Sequence, residues 1–201
     1  MTPAKFWDGV SEKYATMAIR NPEQYHLSLE RTRSYLRRED RALELGCGTG
    51  STALLLAPSV ALYTGSDLSP GMINIAKRKQ AETGQSNLDF IVADADSDAL
   101  GASYDAVLAF NLLHLVDDLP ATLHHIHQIT RDGGLMINKT PCLRSKKWLF
   151  GPIVWVMKLF GKAPDVHFLT PPQLEQAMKD AGFEILEAAD YGSHYIVARK
   201  M

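Results

Sequence analysis

The chain is poor in the features that mark several classes of protein. Cysteine is nearly absent: Cys47 and Cys142 are the 2 cysteines among 201 residues, which excludes a disulfide framework and suggests no metal site. No unbroken run of about 20 apolar residues occurs, so no segment reads as a membrane span. Charge of one sign is also scarce. A formal net charge of −2 and a single modest basic cluster do not make the broad positive face that phosphate backbones require, and no nucleic-acid partner is expected. The opening residues Met1-Thr2-Pro3-Ala4-Lys5-Phe6-Trp7-Asp8 lack a long apolar h-region, so the expectation is a cytoplasmic protein in a reducing compartment.

What remains is ordinary globular material, 46% apolar and 22% charged, in an amount that one domain buries well. Hydrophobic periodicity divides it into alternating elements. A leading helix is expected from Pro22 to Arg38, a strand at Ala42 to Leu45 and a helix from Ser51 to Ala57. A strand at Ala61 to Ser66 precedes a helix over Pro70 to Thr83. A strand at Asp89 to Ala93 precedes a short turn near Ser97, and a strand at Ala106 to Phe110 precedes a helix over Leu119 to Thr130. Near-continuous apolar strands joined by helices require right-handed crossovers and a parallel sheet, with ligands at the strand carboxyl ends. After a strand opened by Gly133-Gly134 the order changes to a helix at Pro172 to Asp180 and two strands, Glu184 to Ala188 and Tyr195 to Arg199.

The most informative stretch is Ala42-Leu43-Glu44-Leu45-Gly46-Cys47-Gly48-Thr49-Gly50-Ser51. An apolar strand carrying an acid runs into a loop with glycine at alternate positions, where missing Cβ atoms let a nucleoside approach bare backbone. The dinucleotide pattern G-x-G-x-x-G counted from Gly46 would place its last glycine at Ser51, so the spacing counts against a nicotinamide oxidoreductase. Further landmarks follow in order. The second strand ends in Asp67-Leu68-Ser69, the third in Asp94-Ala95, and the fourth in Phe110-Asn111 followed by Leu112-Leu113-His114-Leu115.

This set resembles the class I S-adenosylmethionine-dependent methyltransferases, in the L-E-L-G-C-G-T-G form common among small-molecule members and similar to the ubiquinone and menaquinone biosynthesis group. The likeness is close over residues 10–140 and general beyond. It implies an α/β, Rossmann-like doubly wound, mostly parallel seven-stranded sheet with an antiparallel last strand, helices on both faces and an N-terminal helical cap. It also implies one methyltransferase domain over 1–201: a cap at 1–39, a cofactor-binding core at 40–140, a hydrophobic insert at 141–170, and a closing helix and strands at 171–201. The cofactor implied is S-adenosyl-L-methionine. Glu44 would receive the methionine ammonium directly or through water. Gly46, Cys47, Gly48 and Gly50 would offer backbone, and Asp67 would accept from the ribose hydroxyls. Asp94 with Ala95 would meet the adenine amino group, Leu68 and Met72 would cover the ring, and Asn111 and Leu112 complete the expected cofactor contacts. Met72 as plain core packing is the alternative. Tyr14, in an N-terminal segment of aromatic residues, would fold over the cofactor.

On the acceptor side His114 is the candidate base, with Tyr25, His26, His167, Trp148 and Trp155 as candidate substrate contacts. A packing role is the alternative for His114. His124 and His127 share a helix face but no third ligand accompanies them, so no metal is expected. The aromatic segment at 147–162 allows three readings: a roof over the active site, a helix lying in a membrane interface, or a homodimer contact. The first two favour a small-molecule or lipid-like hydrophobic acceptor, and the chain is expected to be a monomer or homodimer. The reaction implied is in-line SN2 transfer of a methyl group, in which positioning supplies most of the catalysis. The alternative is a cofactor-binding regulatory or partner-interaction module without methyl transfer.

Overall fold

The structure, a computed structural model, describes residues 2–142 and 167–201. Two helices, α1 (Pro3–Ala15) and α2 (Pro22–Tyr35), precede the first strand. Then come β1 (Arg41–Leu45), α3 (Ser51–Leu56), β2 (Leu62–Asp67), α4 (Pro70–Thr83), β3 (Leu88–Val92) and β4 (Tyr104–Phe110). The rest comprises α5 (Leu119–Ile129), β5 (Thr130–Thr140), α6 (Pro171–Asp180), β6 (Phe183–Asp190) and β7 (His194–Lys200). The strands form one seven-stranded sheet in the order β3-β2-β1-β4-β5-β7-β6. β1 to β5 pair in parallel, and β7 runs antiparallel to both β5 and β6.

The strand order dictates where a ligand can sit. From β1 the chain winds outward through β2 to β3, then returns to place β4 on the other side of β1. Crossovers therefore leave β1 in opposite directions, and a crevice opens above the carboxyl ends of β1 and β4. Alternation along β1 fills both faces. Leu43 and Leu45 pack with α5 and α6 through Leu123, Ile126, Leu174 and Met178, whereas Ala42 packs with α2, α3 and α4 through Leu29, Leu56 and Ile73. Burial on both sides explains the near-continuous apolar character of these strands.

Helix boundaries follow local chemistry. Asn21, Ser69, Asp118 and Thr170 each accept a backbone N–H in the first turn of α2, α4, α5 and α6, and each is followed by proline within the first two helical positions. α4 stops at Gly84, whose φ of 67° is left-handed. α2 ends before the expected Arg38 because Leu36 turns to extended backbone and packs into the core. β5 starts earlier than Gly133, since Thr130 pairs with Tyr104 before a register shift.

The glycine loop is fixed by the core beneath it. A Cβ on Gly50, at φ +74°, would lie 2.6 Å from Phe90 Cζ, and one on Gly65 would lie 2.7 Å from the same ring. Phe90 is fully buried, so its ring has nowhere to yield. The Gly50→Ala variant is expected to lose about 2–5 kcal/mol from backbone strain and overpacking together, measured as a lower urea midpoint at unchanged m-value.

Among the described residues no helix is long and apolar enough to cross a membrane. Residues 147–162, with Trp148 and Trp155, lie outside the described residues.

Candidate functional site

A cavity opens above the carboxyl ends of β1, β2, β3 and β4, and the loops after these strands form its floor and sides. Gly46 and Gly48 line it from the β1 loop, both at positive φ (65° and 53°). Each missing side chain has a distinct purpose. A Cβ on Gly46 would strike Leu112 Cδ1 at 2.9 Å, whereas one on Gly48 would point at Tyr14 Cε1 across 3.8 Å. Gly46 thus lets the β4 loop close on the β1 loop, and Gly48 leaves a peptide face open under Tyr14. Cys47 and Gly50 turn the other way. Cys47 is buried with the α2, α3 and α4 side of the core and gives its N–H to Ser66 O at 2.9 Å, and Gly50 faces Phe90.

Asp67 is the polar centre of the cavity. Its Oδ2 accepts the Gly48 N–H and its Oδ1 the Ser69 N–H, each at 2.9 Å. Burial pushes its carboxyl above the usual range, while these two backbone donors oppose the rise. Each oxygen keeps a further lone pair that can accept from a hydroxyl. Leu68 and Met72 supply apolar surface next to it, and Asp94 and Ala95 line the side formed by the β3 loop. Asp94 Oδ1 accepts the Ala95 N–H at 2.6 Å.

Asn111 lines the β4 side. Its φ of 55° is left-handed, a conformation asparagine tolerates better than most residues, and its N–H donates to Lys139 O at 2.8 Å. That turn brings Leu112 over Gly46.

Glu44 lies below the cavity and is not among its lining residues. It is 2% exposed and accepts the Tyr63 hydroxyl at 3.0 Å. Burial pushes its carboxyl up to about 8, the Tyr63 hydrogen bond acting against this and the charge of Asp67 with it.

The N-terminal helix supplies a wall through Pro3, Trp7 and Tyr14. It is fastened by a residue that sequence patterns did not single out. Asp8 Oδ1 accepts Ser69 Oγ–H at 2.5 Å and the Gly71 N–H at 2.8 Å, placing a carboxylate at the positive end of α4. Gly71 permits this approach, since a Cβ there would lie 2.9 Å from Ser11 Oγ. Phe110 at the end of β4 also lines the cavity, as do Asp96, Val116, Asp117 and Thr122, which lacked a sequence signal.

The proposed acceptor residues are more dispersed. His114 does not line the cavity; its Nδ1 is buried without a hydrogen-bond partner among the described residues. Burial, with His167 nearby, pushes its imidazole down to about 4, so the ring is neutral at ordinary pH. The His167 N–H donates to His114 O at 2.7 Å, and its Nε2 meets Val116 O at 2.7 Å. These bonds strap the chain entering α6 to the loop after β4. Tyr25 packs on the α2 side of the sheet and bonds Thr52 Oγ1 at 3.0 Å; His26 beside it is exposed.

The ubiquinone biosynthesis O-methyltransferase of Saccharophagus degradans is 28% identical to this chain over 190 residues, which cover 92% of the chain and 78% of that protein. The enzyme of the same name from Aromatoleum aromaticum is 30% identical over 153 residues, covering 73% and 65%. Among solved structures, the complex between the Haloferax volcanii Trm112 methyltransferase activator and a methyltransferase contains a chain that superposes with a TM-score of 0.80 at 19% identity, covering 98% of this chain and 97% of that one. Magnesium protoporphyrin IX methyltransferase from Synechocystis PCC 6803, solved with bound SAH, superposes with a TM-score of 0.70 at 18% identity, covering 98% and 93%. These structures share the fold. The family model described as a methyltransferase domain matches residues 17–188, and the chain accordingly belongs to the methyltransferase domain family, as a class I S-adenosylmethionine-dependent methyltransferase.

Proposed function

We propose that the cavity above β1 and β4 holds S-adenosylmethionine and that the chain moves its methyl group to a small, largely hydrophobic acceptor by in-line displacement. The observation that carries this reading is the Asp67 carboxylate, fixed by two backbone donors at the rim of a cavity that also presents bare glycine backbone and apolar surface. The residues fit the nucleoside. Asp67 takes the ribose hydroxyls; Leu68 and Met72 cover the adenine, whose amino group meets Asp94; Gly46, Gly48 and Asn111 flank the methionine portion. When bound, the cofactor supplies an activated methyl group on a sulfonium, so the chain's contribution is to bind, align and exclude water. Tyr14, standing over Gly48 from α1, covers that portion from solvent. Relatives named as ubiquinone biosynthesis O-methyltransferases support a small-molecule acceptor.

Removing the Asp67 carboxylate tests the ribose assignment. Asp67→Ala is expected to weaken binding of both S-adenosylmethionine and its demethylated product about tenfold to a hundredfold, the cost of two hydrogen bonds to a charged acceptor. Calorimetry that finds unchanged affinity in a folded variant removes the assignment.

Glu44 predicts a pH dependence. Its carboxyl is raised from 4.5 to about 8 by burial, so between those values the folded, ligand-free protein holds a proton that the unfolded chain has released. The resulting stability is fully present below about pH 4.5 and declines as pH rises toward 8. An ammonium group arriving near Glu44 favours the ionised carboxylate, so binding releases that proton. Affinity for the demethylated product is expected to rise between about pH 6 and 7.5, by up to about tenfold per unit. Binding heats should vary with the ionisation enthalpy of the buffer. Glu44→Gln should flatten both dependences; slopes equal to those of the parent protein would show that Glu44 does not meet the ammonium.

A further inference from the structure

The carboxyl end of β5 carries a cation that neither the cofactor cavity nor the core accounts for. Lys139 pairs across the sheet with Phe110 on β4 and Tyr195 on β7. Its carbonyl accepts the N–H of Asn111. Phe110 and Asn111 both line the cofactor cavity, so the lysine backbone sits directly beside a wall of that cavity. From there the side chain crosses to α2, where Nζ donates to Ser28 Oγ at 3.0 Å and approaches Gln24 O at 3.4 Å.

Both of these partners are neutral. No carboxylate of the described residues lies within ion-pairing distance of Nζ, and Asp190 acts on it only at longer range. Half-burial holds the ammonium below the ordinary lysine range. A desolvated cation served by a hydroxyl and a carbonyl is incompletely compensated, and an anion beside it recovers part of that cost. An ammonium has three donors, of which two are engaged here. Tyr25, Phe110 and Tyr191 pack on the same side of the sheet, and Tyr25 follows Gln24 on α2.

We propose that Lys139 determines acceptor specificity by seating an oxyanion of the methyl acceptor, so that the substrate class is an aromatic or otherwise apolar molecule bearing a carboxylate, phenolate or comparable acidic oxygen. This inference rests on the methyltransferase reading above. Lys139 selects and anchors through charge, and the aromatic side chains around it take the apolar part. The catalytic displacement itself needs no proton from Lys139, because an ionised oxygen already has a free electron pair.

The test uses the full chain loaded with S-adenosylhomocysteine and two fluorescent probes of nearly the same shape. One is the anionic 8-anilinonaphthalene-1-sulfonate and the other the neutral N-phenyl-1-naphthylamine. In the parent protein the sulfonate should bind saturably. In Lys139→Met its Kd should rise about tenfold or more, with the neutral probe and S-adenosylhomocysteine affinity unchanged, and Lys139→Arg should recover most of the loss. Should the Met variant unfold, Lys139→Gln keeps a donor toward Ser28 without the charge and carries the same comparison. Equal weakening of both probes would make Lys139 a packing residue. An unchanged sulfonate Kd, or no saturable sulfonate binding by the parent, would overturn the inference while S-adenosylhomocysteine still binds. Failure of the parent protein to bind S-adenosylhomocysteine would instead overturn the cofactor reading.

Discussion

The cavity depends on one carboxylate that holds two pieces of backbone. Asp67 ends β2 and accepts the N–H of Gly48 from the β1 loop and that of Ser69 from the start of α4. Without it the glycine loop, whose residues have little conformational preference of their own, would lose the side-chain tie to the neighbouring strand tip and keep the backbone bond from Cys47 N–H to Ser66 O. The tie extends outward. Ser69 gives its N–H to Asp67 and its hydroxyl to Asp8 on α1, so a single serine links the loop beneath the ligand to the helix above it. Order therefore passes from the sheet to the cap through successive charge-assisted hydrogen bonds.

Glu44 and Asp67 show how differently one site can treat two acids. Asp67 stands at the cavity with a backbone donor on each oxygen. Glu44 stands in the core, its carboxylate accepting from the Tyr63 phenol among the described residues, on the same face of β1 as Ala42. Burial opposes charge on both, against two backbone donors at Asp67 and one phenol at Glu44. Burial of an acid in an otherwise apolar strand is costly unless something compensates, and a cationic ligand above the loop is compensation of the right sign.

Much of this was legible in the sequence because the relevant signals are local. Caps and prolines fixed the start of α4 to the residue, apolar runs marked the inner strands, and the glycine spacing placed the loop. Asp67, Asp94 and Asn111, which the resemblance singles out, line the cavity because they sit at or just beyond strand ends, where an α/β sheet opens its crevice. Motif membership did not tell which way each side chain turns: Gly50 and Cys47 belong to the motif yet face the core, Gly50 because Phe90, far along the chain, occupies the space beside it. Asp8 was illegible for a related reason. Its partners lie on α4, and no periodicity within α1 distinguishes it from a solvent-facing acid. Lys139 reads as a polar interruption near a strand end, and only the arrival of α2 across the sheet gives it a role. For His114 the sequence supplied a position after β4, but not the burial that keeps its ring neutral.

The wall built by α1 differs from the others in kind. Pro3, Trp7 and Tyr14 border the cavity, yet α1 is joined to α2 by an exposed stretch at 16–21 and is held at α4 by the bonds of Asp8. The ion pair between Glu12 and Arg78 is a second tie to the same helix, exposed and farther along it than the Asp8 bonds at the start of α4. The position of one whole wall of the cavity is thereby set by contacts to α4 rather than by the strand tips that form the floor.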